Sequence, residues 1–179
     1  SVVLLLSCTN PLGPSLGELQ PNKDYFPLEE YSEWYYETDQ GDTLTLMVAA
    51  SYINSSNERV YSVKEITSTN TGSYSFTHSE EGIFFYRFGE KKPFFRYPLI
   101  ENFSWSFTEG LEIWYFEVVD GQKEHDEYDD LKVVEWQHYS SQYNEQFLCS
   151  DIFYLKDGLG PVYIKKGKTD KEYNLKSTK

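Results

Sequence analysis

The sequence predicts an all-β domain whose antiparallel strands form a curved half-barrel or a sandwich, built from two tandem pseudo-repeats of about 70 residues. Three observations point there. Aromatic residues make up 18% of the 179-residue chain, as 16 Tyr, 12 Phe and 4 Trp against a single Met, and such side chains pack well on pleated, half-buried faces. Short apolar stretches alternate with turn chemistry at hairpin spacing. One aromatic-Pro-Leu stretch recurs later in the chain, with further matches following it in the same order.

The chain opens Ser1-Val2-Val3-Leu4-Leu5-Leu6-Ser7-Cys8, an apolar run, a small residue and a cysteine, so residues 1–7 read as the remnant of a secretory signal peptide. Leu5-Leu6-Ser7-Cys8 resembles the bacterial lipobox. That resemblance implies a diacylglycerol on Cys8 and a partner membrane reached through this N-terminal lipid. Several acyl chains anchor stably where one does not, because each buried methylene contributes about 0.8 kcal/mol. Residues 8–23 follow as the lipidated Cys and a flexible linker, interrupted by Pro11, Gly13, Pro14, Gly17 and Pro21. The expected location is the bacterial cell envelope, on its periplasmic or surface face.

The folded domain is expected over residues 24–175. Its first half reads as strands 34–37, 43–53, 60–67, 72–78 and 83–88, and its second as 105–107, 111–119, 131–139, 142–154 and 162–164. Gln40-Gly41-Asp42, Asn54-Ser55-Ser56-Asn57, Asp120-Gly121-Gln122 and Lys156-Asp157-Gly158 supply turns between them. Gly89-Glu90-Lys91-Lys92-Pro93 reads as another exposed turn. Tyr25-Phe26-Pro27-Leu28 leads to Trp34 and Tyr36, and Arg96-Tyr97-Pro98-Leu99 leads to Trp105 and Phe107, 71 residues on. The same offset carries Val60, Ser62 and Val63 onto Leu131, Val133 and Val134, and Phe76 onto Phe147. The two modules are therefore drawn at 24–93 and 94–175, sharing one core because neither alone buries much apolar surface. Each Trp and the aromatic two positions on face the same way, into the shared core.

The stretch Tyr25-Phe26-Pro27-Leu28…Trp34-Tyr35-Tyr36, with the later Gly158-Leu159-Gly160-Pro161-Val162, resembles uncharacterised bacterial lipoproteins that begin with an aromatic-Pro-Leu…Trp-x-Tyr strand. The resemblance implies location and architecture rather than chemistry.

Composition excludes several functions. A net charge of −13 repels phosphate backbones, so nucleic acid is not an expected partner. A mean hydropathy of −0.60, with no apolar run near the roughly 18 residues a spanning helix needs, argues against an integral membrane body. His78, His125 and His138 show no metal-ligand spacing, and Gly167-Lys168-Thr169 lacks the glycine and the following helix of a phosphate loop. Five carboxylates between Glu124 and Asp130 read as a solvated loop without the spacing of a calcium site. Cys149 lies in an apolar strand and reads as a buried structural thiol. No catalytic residue, metal or cofactor is assigned, and the chain is not expected to be an enzyme.

The aromatic runs around Phe85, Arg87, Phe95 and Tyr97 are the candidate ligand or partner surface. Rings at adjacent positions point to opposite faces of a strand, leaving some outside the core. The leading functional expectation is a non-catalytic envelope lipoprotein that binds a protein or supports an assembly. A carrier of a lipid or other amphiphile is the alternative, and an apolar pocket in place of a filled core would distinguish it. A hydrolase of envelope or dietary polymers is the third reading.

Overall fold

The computed structural model describes residues 24–119, 128–141 and 146–179. Among these residues, twelve strands form one antiparallel sheet that curls into a nearly closed barrel. The first six are β1 (Glu33–Glu37), β2 (Thr43–Ile53), β3 (Arg59–Thr67), β4 (Thr71–Ser79), β5 (Gly82–Arg87) and β6 (Glu90–Arg96). The second six are β7 (Ser104–Glu109), β8 (Glu112–Val119), β9 (Lys132–Ser140), β10 (Gln146–Lys156), β11 (Gly160–Lys166) and β12 (Lys171–Thr178). The order around the sheet is β6-β5-β4-β3-β2-β1-β12-β11-β10-β9-β8-β7. Strands consecutive in sequence pair with each other, except β6 and β7, and β1 pairs with β12. The two edges, β6 and β7, are consecutive in the chain.

Period-2 alternation builds the wall. In β2 the buried residues are Leu44, Leu46 and Val48, and in β8 they are Trp114, Phe116 and Val118, while intervening Thr45 and Glu117 are less buried. The core is a belt of inward side chains from nearly every strand, including Tyr36, Val63, Phe76, Ile83, Phe95, Phe116, Val134, Leu155 and Ile164. A smaller cluster, Val133, Tyr154, Val162 and Tyr163, is formed by β9–β11, with Tyr128 and Leu131 packed against it.

Two strands differ from the sequence expectation. Residues 90–96 form β6, where an exposed turn is predicted for 89–93. The turn is only Phe88-Gly89, both at positive φ (48° and 80°). Such two-residue turns usually announce themselves as Asn-Gly or Asp-Gly, and a bulky Phe in the first position hides this one. Pro93 is tolerated because β6 is an edge strand. The boundary drawn at 93/94 falls inside this strand. β12 was also unforeseen, since only Tyr173 and Leu175 interrupt its polar sequence. It carries the pairing that joins the two halves of the sheet.

One end of the barrel, where the odd-numbered strands begin, is capped by the two aromatic-Pro-Leu segments. Tyr25, Phe26, Leu28 and Leu99 are buried, and Phe26 packs on Trp34, Phe76 and Phe95 at 5.2, 5.7 and 6.5 Å between ring centres. The Tyr25 N–H donates to Tyr97 Oη at 3.3 Å, joining the two segments. The late glycine segment locks onto the same end. Trp34 Nε1 donates to Leu159 O at 2.6 Å, Tyr36 Oη to Pro161 O at 2.7 Å and Gly158 N to Asp24 O at 2.8 Å. The two stretches that carry the family resemblance are therefore one contact in three dimensions.

Candidate functional site

A cavity of about 140 Å³ lies inside the barrel above this cap. Phe26, Phe76, Phe85, Phe94, Phe116 and Phe153 supply most of its apolar wall, together with Trp114 and Trp136. A β-bulge recruits one of these rings. Ile83 pairs with Phe95 and Phe84 with Pro93, leaving Phe94 without a cross-strand partner. Such an extra residue breaks the alternation, so Phe94 and Phe95 both reach Phe153, at 5.7 and 5.8 Å. Adjacent aromatics on opposite faces, as expected from sequence, hold for Phe84 and Phe85 but not for this pair.

In the second half the wall is organised in rows of directly opposed residues. Lys166, Asp151, Trp136, Phe116 and Trp105 are successive partners from β11 to β7. Along that row Trp105 stacks on Phe116 at 5.3 Å with planes 8° apart. The next row, away from the cap, is Phe107, Trp114 and His138. There Trp114 lies between Phe107 (5.1 Å) and His138 (4.7 Å), both nearly parallel to it. Cross-strand aromatic stacks of this kind hold neighbouring strands in register.

Charged side chains collect at the end of the cavity away from the cap. Lys166 Nζ donates to Glu65 Oε2 at 3.3 Å and lies 3.4 Å from Asp151 Oδ2. Asp151 is 5% exposed, and its Oδ1 accepts the Gly167 N–H at 3.1 Å. Burial pushes the Asp151 pKa above the ordinary carboxylate value, with Lys166 and the Gly167 N–H pulling the other way. Burial pulls Lys166 down, but Glu65 and Asp151 outweigh it and its pKa ends above the usual lysine value. Arg87 pairs with Glu109 and lies 4.4 Å from the centre of the Trp114 ring, a cation–π contact that also stiffens the collar. Tyr74, 46% exposed, and Arg87, with 39% of its side chain exposed, mark where this collar meets solvent.

Two buried side-chain polar atoms have no hydrogen-bond partner among the described residues, Trp105 Nε1 and Trp136 Nε1. Of these two residues, Trp136 lines the cavity.

Of the residues singled out from sequence, Phe85 and Arg87 stand on the cavity wall. Phe95 is fully buried in the core beside it, and Tyr97 belongs to the cap. Cys8 and most of the acidic run, residues 124–127, lie outside the described residues. Cys149 is only half-buried, not fully buried as expected, and burial raises its thiol pKa. Gly167, part of the rejected phosphate-loop match, turns against β10: a Cβ there would lie 1.9 Å from Ser150 O. Sequence reading missed Glu65, Trp136, Asp151 and Lys166. A signal was present in each case, a charged or polar-tipped residue two positions from an inward apolar one: Val63-x-Glu65, Val134-x-Trp136, Asp151-x-Phe153 and Ile164-x-Lys166.

The architecture defines a small, nearly closed β-barrel with a largely apolar interior cavity and a charged rim. No protein-family model matches the chain, and neither a curated protein nor a solved structure matches it.

Proposed function

We propose that this chain is a non-catalytic binding module that holds a small apolar or amphiphilic ligand inside its barrel. Its place is the bacterial cell envelope, where a lipid on Cys8 tethers it. The observation that carries the reading is the apolar cavity capped at one end and rimmed by charge at the other. Empty apolar volume is costly, at roughly 24 cal/mol per Å³. For 140 Å³ that comes to about 3 kcal/mol as an upper bound. A domain that only presented its outer wall to a partner would gain stability by filling this space. An engineered apolar cavity of about 150 Å³ accommodates benzene, so the space suits a ring or a short branched alkyl group, with any polar end at the collar.

The wall has the opposite polarity to a membrane-spanning barrel, which turns its apolar side chains outward. Here the large apolar side chains point in, while Glu117, Glu135 and Gln137 alternate with them on β8 and β9. The tether would hold a water-facing cup close to a membrane, near a source of apolar molecules.

The test is native mass spectrometry of the full chain released from a bacterial membrane, alongside Val63→Phe, whose ring would occupy the cavity beside Val63. One small molecule bound to the wild type and absent from the folded variant is the expected result. Recovery of the wild type at its bare mass, together with failure of benzene-sized probes to raise its unfolding temperature, would overturn the reading in favour of a protein-binding outer surface.

A further inference from the structure

We infer that the collar end of the barrel docks on a zwitterionic lipid surface, with Phe88 and Leu111 entering the interface from two hairpin tips and Phe147 beside them. The choice of lipid as partner rests on the binding reading above, since a cup for apolar molecules fills most directly where its mouth meets lipid. Odd-numbered strands end at the collar, so the β5–β6, β7–β8 and β9–β10 connections all lie at this end.

Phe88 stands in the β5–β6 turn, 86% exposed and at φ 48°. A bulky side chain costs stability in that left-handed conformation, where Asn or Gly fits better, and this ring buries little in return. Leu111, in the two-residue turn between β7 and β8, is 54% exposed. Arg87 and Glu109, which lead into the two turns, are ion-paired across the seam and set the tips side by side. The Leu111 carbonyl accepts the Ser141 N–H at 2.7 Å and its hydroxyl at 2.9 Å. That ties on the end of β9 and β10, where Phe147 is exposed and packs on Tyr139. Contiguous exposed apolar side chains mark an interaction surface.

Charge points to lipid as the occupant. The chain carries −13, yet residues 87–92 and 109–112 balance Arg87, Lys91 and Lys92 against Glu90, Glu109 and Glu112. Residues 136–141 and 146–149 contain no carboxylate. The exposed apolar residues of the capped end have acidic neighbours instead: Tyr31 follows Glu29 and Glu30, and Ile100 precedes Glu101. A charge-balanced arc with apolar tips matches a neutral interface, whereas the acidic remainder of the chain is repelled by anionic lipid. Binding to such a surface grows with the apolar area inserted, and turn tips can enter it singly.

The test uses the full chain carrying Cys8→Ser, which removes the acylated thiol. It is mixed with phosphatidylcholine vesicles or with vesicles of equal parts phosphatidylcholine and phosphatidylglycerol. Phe88→Asn is expected to lower partition into phosphatidylcholine roughly 10-fold. Its urea midpoint is expected to hold or rise, because Asn suits the turn. Phe88→Trp adds an indole whose emission is expected to shift to shorter wavelength on these vesicles and to be quenched by brominated lipid. Tyr31→Trp, at the capped end, is expected to do neither, and the anionic vesicles are expected to bind more weakly.

Unchanged partition of Phe88→Asn would overturn the inference, as would equal quenching at Tyr31→Trp or tighter binding to the anionic vesicles. A Phe88-dependent dimer in sedimentation without lipid would assign the arc to a second copy of the chain and overturn it too. Docking that fails while native mass spectrometry still finds a bound molecule leaves the cavity reading standing. Docking by a barrel that binds no small molecule sinks the cavity reading alone.

Discussion

The barrel is closed in two places by different means. Where β1 meets β12, residues far apart in the chain join through backbone pairing, Trp34 opposite Thr178 and Tyr36 opposite Leu175, extended by reciprocal Glu33–Lys179 hydrogen bonds of 2.9 and 3.0 Å. Buried side-chain bonds from Trp34 and Tyr36 to the Leu159 and Pro161 carbonyls reinforce it. Where β6 faces β7, strands adjacent in the chain share no ladder. That seam is bridged by side chains: Phe85 on Phe107 at 5.6 Å, Phe94 on Phe116 at 6.2 Å, Lys92 over Phe107 at 5.9 Å and the Arg87–Glu109 pair. Trp34 and Trp105 differ in the same way, since Trp34 Nε1 is bonded and Trp105 Nε1, on the seam strand, has no partner among the described residues. Closure that costs the most loop entropy is thus made with a backbone ladder, and the short connection is left to side-chain contacts, ring packing and one ion pair.

This contrast sets an order of expected effects. Ending the chain after Asp170 removes β12 and uncovers β1 and β11 together, and is expected to abolish cooperative unfolding followed by circular dichroism. Gly160→Ala comes next. Gly160 sits at φ +89°, and an added Cβ would lie 3.1 Å from Trp34 Nε1, so a loss of about 2 kcal/mol is expected in urea titration. Tyr36→Phe leaves the Pro161 carbonyl without its buried donor and is expected to cost about 1–2 kcal/mol in the same assay. At the open seam, Glu109→Gln breaks the ion pair with a partly exposed Arg87, and less than about 1 kcal/mol is expected. If Glu109→Gln destabilised the protein more than Gly160→Ala, the division into a backbone-locked and a side-chain closure would fall.

The smallest effects are those of pH, and they separate inside from outside. On the outer wall, hydrogen bonds from Lys91 and Tyr86 hold the Glu58 carboxyl at about 2. A carboxylate lowered on folding contributes stability above its ordinary value of 4.5 and loses it as pH falls toward about 2. Asp151 has the opposite sign. Its pKa is raised from the ordinary 3.8, so the folded state holds its proton longer than the unfolded chain does. Its contribution is therefore most favourable at low pH and declines as pH rises through the folded value. Denaturation midpoints measured across the acid range should show the Glu58→Gln deficit shrinking toward pH 2 and the Asp151→Asn deficit growing there. Deficits that are flat with pH would remove both assignments.

Much of the wall was legible because its signal is local. The strands read at 43–53 and 60–67 match β2 and β3 closely, since short apolar runs there, such as Leu44-x-Leu46-x-Val48, lie between clear turn residues. β6 and β12 were not legible. One begins after a Phe-Gly turn and contains two lysines and a proline, and the other draws its place from two already formed neighbours rather than from its own apolar content. Of the cavity, Phe85 and Arg87 could be picked out because adjacent aromatics are conspicuous. For Trp136, Asp151 and Lys166 the sequence offers only their spacing of two from an inward apolar residue; what brings them together is which residues stand opposite across strands 15 or more positions apart.

The sequence by itself determined that the chain is rich in β-strand, that similar aromatic-Pro-Leu and Trp motifs occur 71 residues apart, and that the chain carries a net charge of −13. These follow from side-chain periodicity and charge, which act within a few residues or over the whole chain at once. Tertiary structure alone decided that the break in the barrel lies in mid-chain, that a bulge turns both Phe94 and Phe95 inward, and that Glu65, Arg87, Asp151 and Lys166 meet at one cavity. Those depend on cross-strand register, which is fixed only when the whole sheet has curled and each row has found its partners.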